Sequence, residues 1–357
     1  MTASNPLFKI ISPVNGDVLY DSDGVHTNTG FITSVKVAAP ENLDIFVNGI
    51  RAEYVNGTYT SKVELKGYSS IITVEEHKSG ESERINVLFL KNYQKHYRIS
   101  IDDCIWVFRD LSQNSLVYKS MFDNSFLGML KELNESYGTK IHLNVFYNTD
   151  GFNLSQMTCK YKEEWKANSD WLKLSFHAYA EFPDKPYKYA DYEKVSYDCR
   201  LVMNEIRRFA GDEVMEPVTT IHWGEANREG CRALRDLGYK CLAGYFKMEN
   251  DEPLVSYYFD QEQIEHMCSR YIWIDNSEDI IFSKCAIVID KNKLDSIADV
   301  LNQTGNPPYV DYLVHEQYFH KDYINYQPDY RDKLIAAVKW AQSNGYTPAH
   351  LCECVYE

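Results

Sequence analysis

Four strand-like segments of this chain end in side chains that can hold a metal or move a proton. HYRISIDD stops at Asp102 and Asp103, and WLKLSFHAYAE delivers His177 and Glu181. PVTTIHWG delivers His222, and YVDYLVHEQYF delivers His315 and Glu316. In barrel-like α/β folds the C-terminal ends of successive strands converge on one mouth, and the active site sits there. Imidazole nitrogens and carboxylate oxygens are common ligands of divalent ions, and a spare carboxylate and a spare imidazole can transfer protons. Gathered at one mouth, these residues make a divalent-metal hydrolase site.

Each signal has a plain structural use as well. Neighbours on a strand point to opposite sides, but at its end both Asp102 and Asp103 can turn to the mouth, one to ligate and one to take a proton from water. A bare Asp-Asp pair more often caps a turn or helix. His177 and Glu181 are four apart and meet on one face if that stretch makes a helical turn. A single histidine on a strand, such as His177 or His222, is more often a hydrogen-bonded core residue. His315 at a strand end can protonate a leaving group, or pair structurally with its acidic neighbours.

The elements that must position these residues change character near residue 94. Residues 1–93 read as short strands with no helical period. Asn48-Gly49, Asn56-Gly57 and Lys78-Ser79-Gly80 mark hairpin tips, which predicts an all-β, immunoglobulin-like sandwich. Residues 94–357 alternate apolar strands with helical stretches. Phe126, Leu127, Met129, Leu130 and Leu133 share one helical stripe, and Val195, Cys199, Val202 and Ile206 another, within 192–209. GEANREGCRALRDLG closes at Gly238, KNKLDSIADVLNQ follows later, and PDYRDKLIAAVKWAQSNG closes at Gly345. That alternation predicts βα units and a distorted (β/α) barrel. The expected organisation is therefore multidomain, with a β-sandwich over 1–93 and a barrel over 94–357.

Bulk properties narrow the partners. A length of 357 residues suits two or three domains, and 44% hydrophobic with 25% charged residues is ordinary for a soluble protein. A net charge of −15 argues against nucleic acid as a partner, since phosphate binding needs a basic surface. No glycine-rich phosphate loop occurs. No apolar run reaches the roughly 18 residues of a membrane span, and MTASNPLFKI is not a signal peptide, so the expectation is no membrane and a cytoplasmic location. The nine cysteines are scattered, which suits a reducing compartment. The 28 tyrosines admit sugar stacking as well as ordinary core and surface use.

Taken together the motifs resemble the polysaccharide deacetylases (carbohydrate esterase family 4, the NodB-like domain). RISIDD is similar to the family's strand-Asp-Asp motif, in which the first Asp is the catalytic base and the second binds the metal. SFHAYAEFP resembles the H-[ST]-x-x-H-P motif, with His177 in the first metal-histidine place and Glu181 in the second. TTIHWGEANREGCRALRDLGYKCLAGY resembles the R-x-P-Y-G-x-x-N region and its helix, with Thr220 in place of the Arg that orients the base and Ile221, His222 and Trp223 in place of Pro-Pro-Tyr. Tyr312-Leu313-Val314-His315 resembles the late L-x-x-H motif that supplies the acid. The resemblance covers roughly 94–357. It implies a metal-dependent hydrolase removing an N- or O-acetyl group from a carbohydrate. Asp102 and His315 would be catalytic, and zinc (or cobalt or nickel) would sit on Asp103, His177 and Glu181 or His222. Trp223, Tyr179, Tyr187 and Glu316 would touch the sugar. The competing expectation is a non-catalytic carbohydrate-binding or scaffold protein that keeps the fold.

Overall fold

The computed structural model describes residues 6–356, which divide into two compact units. The first holds the chain up to Gln94 together with Ile272–Asp279, and the second holds Lys95–Tyr271 and Ile280–Val355. The excursion of 272–279 into the first unit departs from a single cut at 93/94. The Ile274 amide donates to the Gly16 carbonyl at 2.9 Å and the Trp273 indole to the Asn15 carbonyl at 3.1 Å. A short apolar run such as IWID carries no mark of which unit it will join.

The first unit is built from two five-stranded sheets. Phe31–Ala38 alternates buried and less buried positions along its length, as a half-buried strand must. Phe31, Val35, Val37 and Val63 from one sheet meet Ile45, Val47, Ile72, Val74, Ile85 and Val87 from the other in one buried core. Both Asn-Gly pairs take positive φ at both residues (48° and 77°, 53° and 88°), the backbone that tight hairpins require. Among the described residues of 6–94 there is no α-helix. The described strand pairs are antiparallel except Val18–Leu19, which runs parallel to Ser82–Phe89.

The second unit is mixed α/β, with parallel strands. His96–Cys104 lies between Ile141–Phe146 and Tyr309–His315, with Leu172–Ala178 and Ile287–Val288 next outward. Val218–Thr219, Cys241–Gly244 and Ile280–Lys284 form a second parallel group. Among the described strands the expected distorted (β/α) barrel does not close. An isolated bridge joins Leu174 to Met215, just ahead of Val218–Thr219; that strand stops at Thr219, and Trp223 beyond it takes φ 63°. Four helices lie where apolar periodicity places them: Ser125–Tyr137, capped by Asn124 and ended by Gly138 at φ 67°, Tyr192–Phe209, capped by Asp191, Arg228–Asp236, capped by Asn227, and Tyr330–Ser343; Trp106–Gln113, Lys162–Ala167, Gln261–Arg270 and Leu351–Val355 were not expected. KNKLDSIADVLNQ is helical only in part, with its α-helix confined to Ile297–Asn302. No helix among the described residues is long and apolar enough to cross a membrane.

Strand period sets what the interior contains. Arg98, Ser100 and Asp102 follow one another at every second residue of the central strand, as do His142 and Asn144, and Ser175 and His177, on its neighbours; Asp311 and His315, four apart, fall in the same period. All are buried except His315, which is partly exposed.

Candidate metal centre and active site

The register places Asp102 directly beside His315. A shift in pairing between Ile101 and Cys104, with Asp103 at φ 63°, brings the second carboxylate to the same mouth. Aspartate adopts that left-handed backbone more readily than most residues, and such conformations gather at functional sites. Glu316 anchors the turn that follows. Its carboxylate accepts the backbone N–H groups of Ile105, Trp106 and Val107 at 2.7, 3.1 and 2.6 Å, at the start of the helix Trp106–Gln113. Fully buried in that role, Glu316 is a strut and not the substrate contact expected from the sequence.

Asp103 Oδ1 lies 3.0 Å from His177 Nε2 and 3.1 Å from His222 Nδ1, and those two nitrogens are 3.3 Å apart. Behind them, His177 Nδ1 bonds the Thr220 carbonyl and His222 Nε2 the Glu181 carbonyl, the latter at 2.9 Å. A carbonyl only accepts, so both rear nitrogens carry hydrogen and, in neutral rings, both front nitrogens are lone pairs. Two imidazole lone pairs and a carboxylate oxygen facing one another call for a cation among them. The donor set of two nitrogens and one oxygen, with tautomers set by the outer carbonyls, could hold a divalent metal ion. The expected helical turn joining His177 to Glu181 is absent, because His177 ends the strand Leu172–Ala178. The side chain of Glu181 lines the cleft outside the triad, and it is the backbone oxygen of Glu181 that supports His222.

Charge follows this geometry. Burial would raise Asp103, but the His177 and His222 rings, which donate to it when protonated, and the charge of His315 hold it well below the usual carboxylate range. Burial raises Asp102, opposed in part by His177 and His315. Its Oδ1 accepts from the Asn144 amide at 2.7 Å. Burial also disfavours a charged His177, yet Asp102 and Asp103 outweigh it and raise that ring. His315 Nδ1 sits 2.7 Å from Asp290 Oδ2, which also accepts the His315 backbone N–H at 2.8 Å. Burial works against the imidazolium, but Asp290 prevails and pushes it up to about 10.

The cleft above these groups has a volume of about 290 Å³. Phe182, Trp223, Tyr245, Tyr318 and Tyr323 supply its aromatic wall, and Glu181, Asp184 and Lys291 its charged lining. Asp102, Asp103, His177, Glu181, His222, Trp223 and His315 therefore meet at one mouth. Tyr187 does not join them. It is fully buried, with its hydroxyl accepting from the Tyr179 amide at 2.9 Å and bonding Asp198 at 3.1 Å. Tyr179 stacks on Tyr147 at 5.5 Å, away from the cleft lining. Asn144 and Asp290 were not expected. Each carried a signal: a lone amide inside the apolar run IHLNVF, and an acidic strand end in IIFSKCAIVID resembling that of RISIDD.

No family model matches the chain, and no curated protein matches it in sequence. Among solved structures, the carbohydrate deacetylase Agd3 is similar at a TM-score of 0.41 and 9% identity, over 93% of this chain and 70% of that one. A Bacteroides fragilis protein, provisionally described as an α-galactosidase/melibiase, is similar at a TM-score of 0.17 and 11% identity, over 66% of this chain and 56% of that one. Neither likeness carries an argument, and the chemistry of the site rests on its own geometry.

Proposed function

We propose that this chain is a divalent-metal-dependent hydrolase that removes an N- or O-acetyl group from a carbohydrate, in the manner of the polysaccharide deacetylases. The observation that carries the reading is the convergence of Asp103 Oδ1, His177 Nε2 and His222 Nδ1, both rings oriented by backbone carbonyls, between Asp102 and the His315–Asp290 pair. When bound there, a divalent ion supplies a water of lowered pKa and a Lewis acid for the carbonyl. Asp102, held through Oδ1 by Asn144, takes the proton of the attacking water on its other oxygen. His315 donates through Nε2 to the departing amine or alkoxide as the acyl bond breaks, and Asp290 holds the ring while its charge changes. The aromatic wall offers flat apolar faces suited to sugar rings. The reading requires neither an immunoglobulin topology in the first unit nor a closed barrel in the second.

The test is acetate release from a panel of acetylated mono- and oligosaccharides with Zn²⁺, Co²⁺ and Ni²⁺ added in turn. Release that depends on the ion and disappears in His222→Ala is the expected result. Sugar binding without release under any ion would establish the non-catalytic carbohydrate-binding alternative instead.

A further inference from the structure

Below the mouth of the second unit runs a row of buried polar side chains that the metal centre does not use. Arg98, His142, Ser175 and Asn144 are fully buried, on three adjacent strands. Arg98 Nη1 lies 2.9 Å from His142 Nδ1. Guanidinium has donors only, so His142 Nδ1 must be a lone pair and the hydrogen must sit on Nε2. His142 Nε2 is 2.8 Å from Ser175 Oγ, and the serine hydroxyl donates to Asn144 Oδ1 at 2.8 Å. The Thr220 amide approaches the same Oδ1 at 3.4 Å, which agrees with oxygen on that side of Asn144. Its Nδ2 therefore faces Asp102 Oδ1 at 2.7 Å and Ser100 Oγ at 2.9 Å.

Every hydrogen in this row points the same way. Arg98 donates to His142, His142 to Ser175, Ser175 to Asn144 and Asn144 to Asp102. Arg98 is itself fixed by Asp311, with Nε to Oδ1 at 3.0 Å and Nη2 to Oδ2 at 3.1 Å, and by Glu216 at 3.1 Å. A chain of aligned donors polarises each link and ends on the carboxylate with a donor already in place. We propose that this directed chain orients Asp102, with Asn144, Ser175 and His142 as positioning residues and Arg98 setting their direction. The function this serves rests on the reading of Asp102 as the proton acceptor. A neutral amide fixes one carboxylate oxygen and leaves the other for the reacting water. That accounts for a base held in place where Thr220 stands and no arginine reaches it.

The competing arrangement puts hydrogen on His142 Nδ1, donated to Glu216 Oε2 at 3.4 Å, which would set two donors against each other at Arg98. Long-range ¹H–¹⁵N correlation spectra of the ¹⁵N-histidine-labelled full-length protein at pH 7.5 decide between them. We expect His142 as the Nε2–H tautomer, with that proton shifted upfield in Ser175→Ala. A Nδ1–H tautomer, or a charged His142, overturns the chain whether or not the protein releases acetate. For the orienting role, Asn144→Leu should lower the kcat for acetate release by roughly 10–100-fold, as loss of a supporting hydrogen-bond partner does, with KM and bound metal per chain unchanged. Ser175→Ala leaves Asn144 in place and should cost about fivefold, the scale of one neutral hydrogen bond. This second variant decides the matter if Asn144→Leu does not fold. Full kcat in a folded variant of either kind overturns the role of the chain. A wild type that releases no acetate while His142 holds the stated tautomer overturns the function and not the chain.

Discussion

Replacing Glu316 by glutamine separates a strut from a substrate contact. Oε2 serves the Ile105 and Trp106 amides, and Oε1 serves the Val107 amide and the His320 ring at 3.1 Å. Glutamine keeps one acceptor oxygen and presents an NH₂ in place of the other. Either amide orientation turns that NH₂ toward at least one buried backbone N–H. One unsatisfied buried donor costs about 1–3 kcal/mol. The surviving bonds fall from about 1.5–3 kcal/mol with charge assistance to about 1 kcal/mol without it. The helix Trp106–Gln113 also loses a negative charge at its N-terminus, worth up to about 2 kcal/mol when buried. Together these give a loss of about 3–5 kcal/mol in a fold whose total stability is typically about 5–15 kcal/mol. For a unit of this size each kcal/mol moves Tm by about 2–4 °C, so Glu316→Gln should lower the melting transition by about 6–20 °C. Near-ultraviolet circular dichroism on heating measures it. Divalent-ion binding should weaken too, because the same turn carries Asp103. An unchanged Tm with weakened sugar binding would refute the strut and restore Glu316 to the substrate surface.

His222→Ala should lose the divalent ion measured by elemental analysis, whereas Glu181→Ala should retain it, since Glu181 supports His222 through its backbone oxygen; the reverse pattern would put Glu181 in the coordination shell. Asp102→Asn and His315→Ala should each lower kcat by roughly 10²–10⁴-fold with metal retained, and full activity in Asp102→Asn would end the proposed mechanism. Burial first, and then the charges of Lys140 and Arg98, depress His350 well below its ordinary value. The unfolded chain then takes the proton first, so this residue's stabilising contribution is complete above about pH 6.5 and is lost as pH falls toward the folded value. His350→Gln should therefore gain about 1 kcal/mol relative to wild type between pH 7 and pH 5.5 in denaturant titrations, and equal slopes in the two proteins would exclude that assignment.

Much of this organisation was legible from local pattern. Asn-Gly pairs require positive φ at consecutive residues, so the hairpins at Asn48-Gly49 and Asn56-Gly57 follow from residue type. The helical stripe read over 192–209 matches Tyr192–Phe209, and the stripe from Phe126 to Leu133 lies within Ser125–Tyr137, which ends at Gly138 as read. Asp102, Asp103, His177, His222 and His315 stood out because ionisable side chains at the ends of apolar strands are costly to bury and gather where strands open.

The sequence by itself determined much of the order of elements, the change from β to α/β character, and which strand ends carry ionisable side chains, because turn, cap and period rules act over a few residues. Which of these side chains face one another was decided by tertiary structure. The sequence offered Glu181 as the third ligand with His222 as the alternative; in the structure the His222 ring faces Asp103, and Glu181 offers His222 its backbone oxygen. Glu316 and Tyr187 looked like substrate contacts until burial bound the first to three amides and the second to Asp198. Asn144 and Asp290 gained their roles from contacts with partners 42 and 25 residues away. Spacing along a chain limits what neighbours within a turn can share, but a metal ligand set or a hydrogen-bond chain depends on angles between strands, and those are fixed only when the sheets pack.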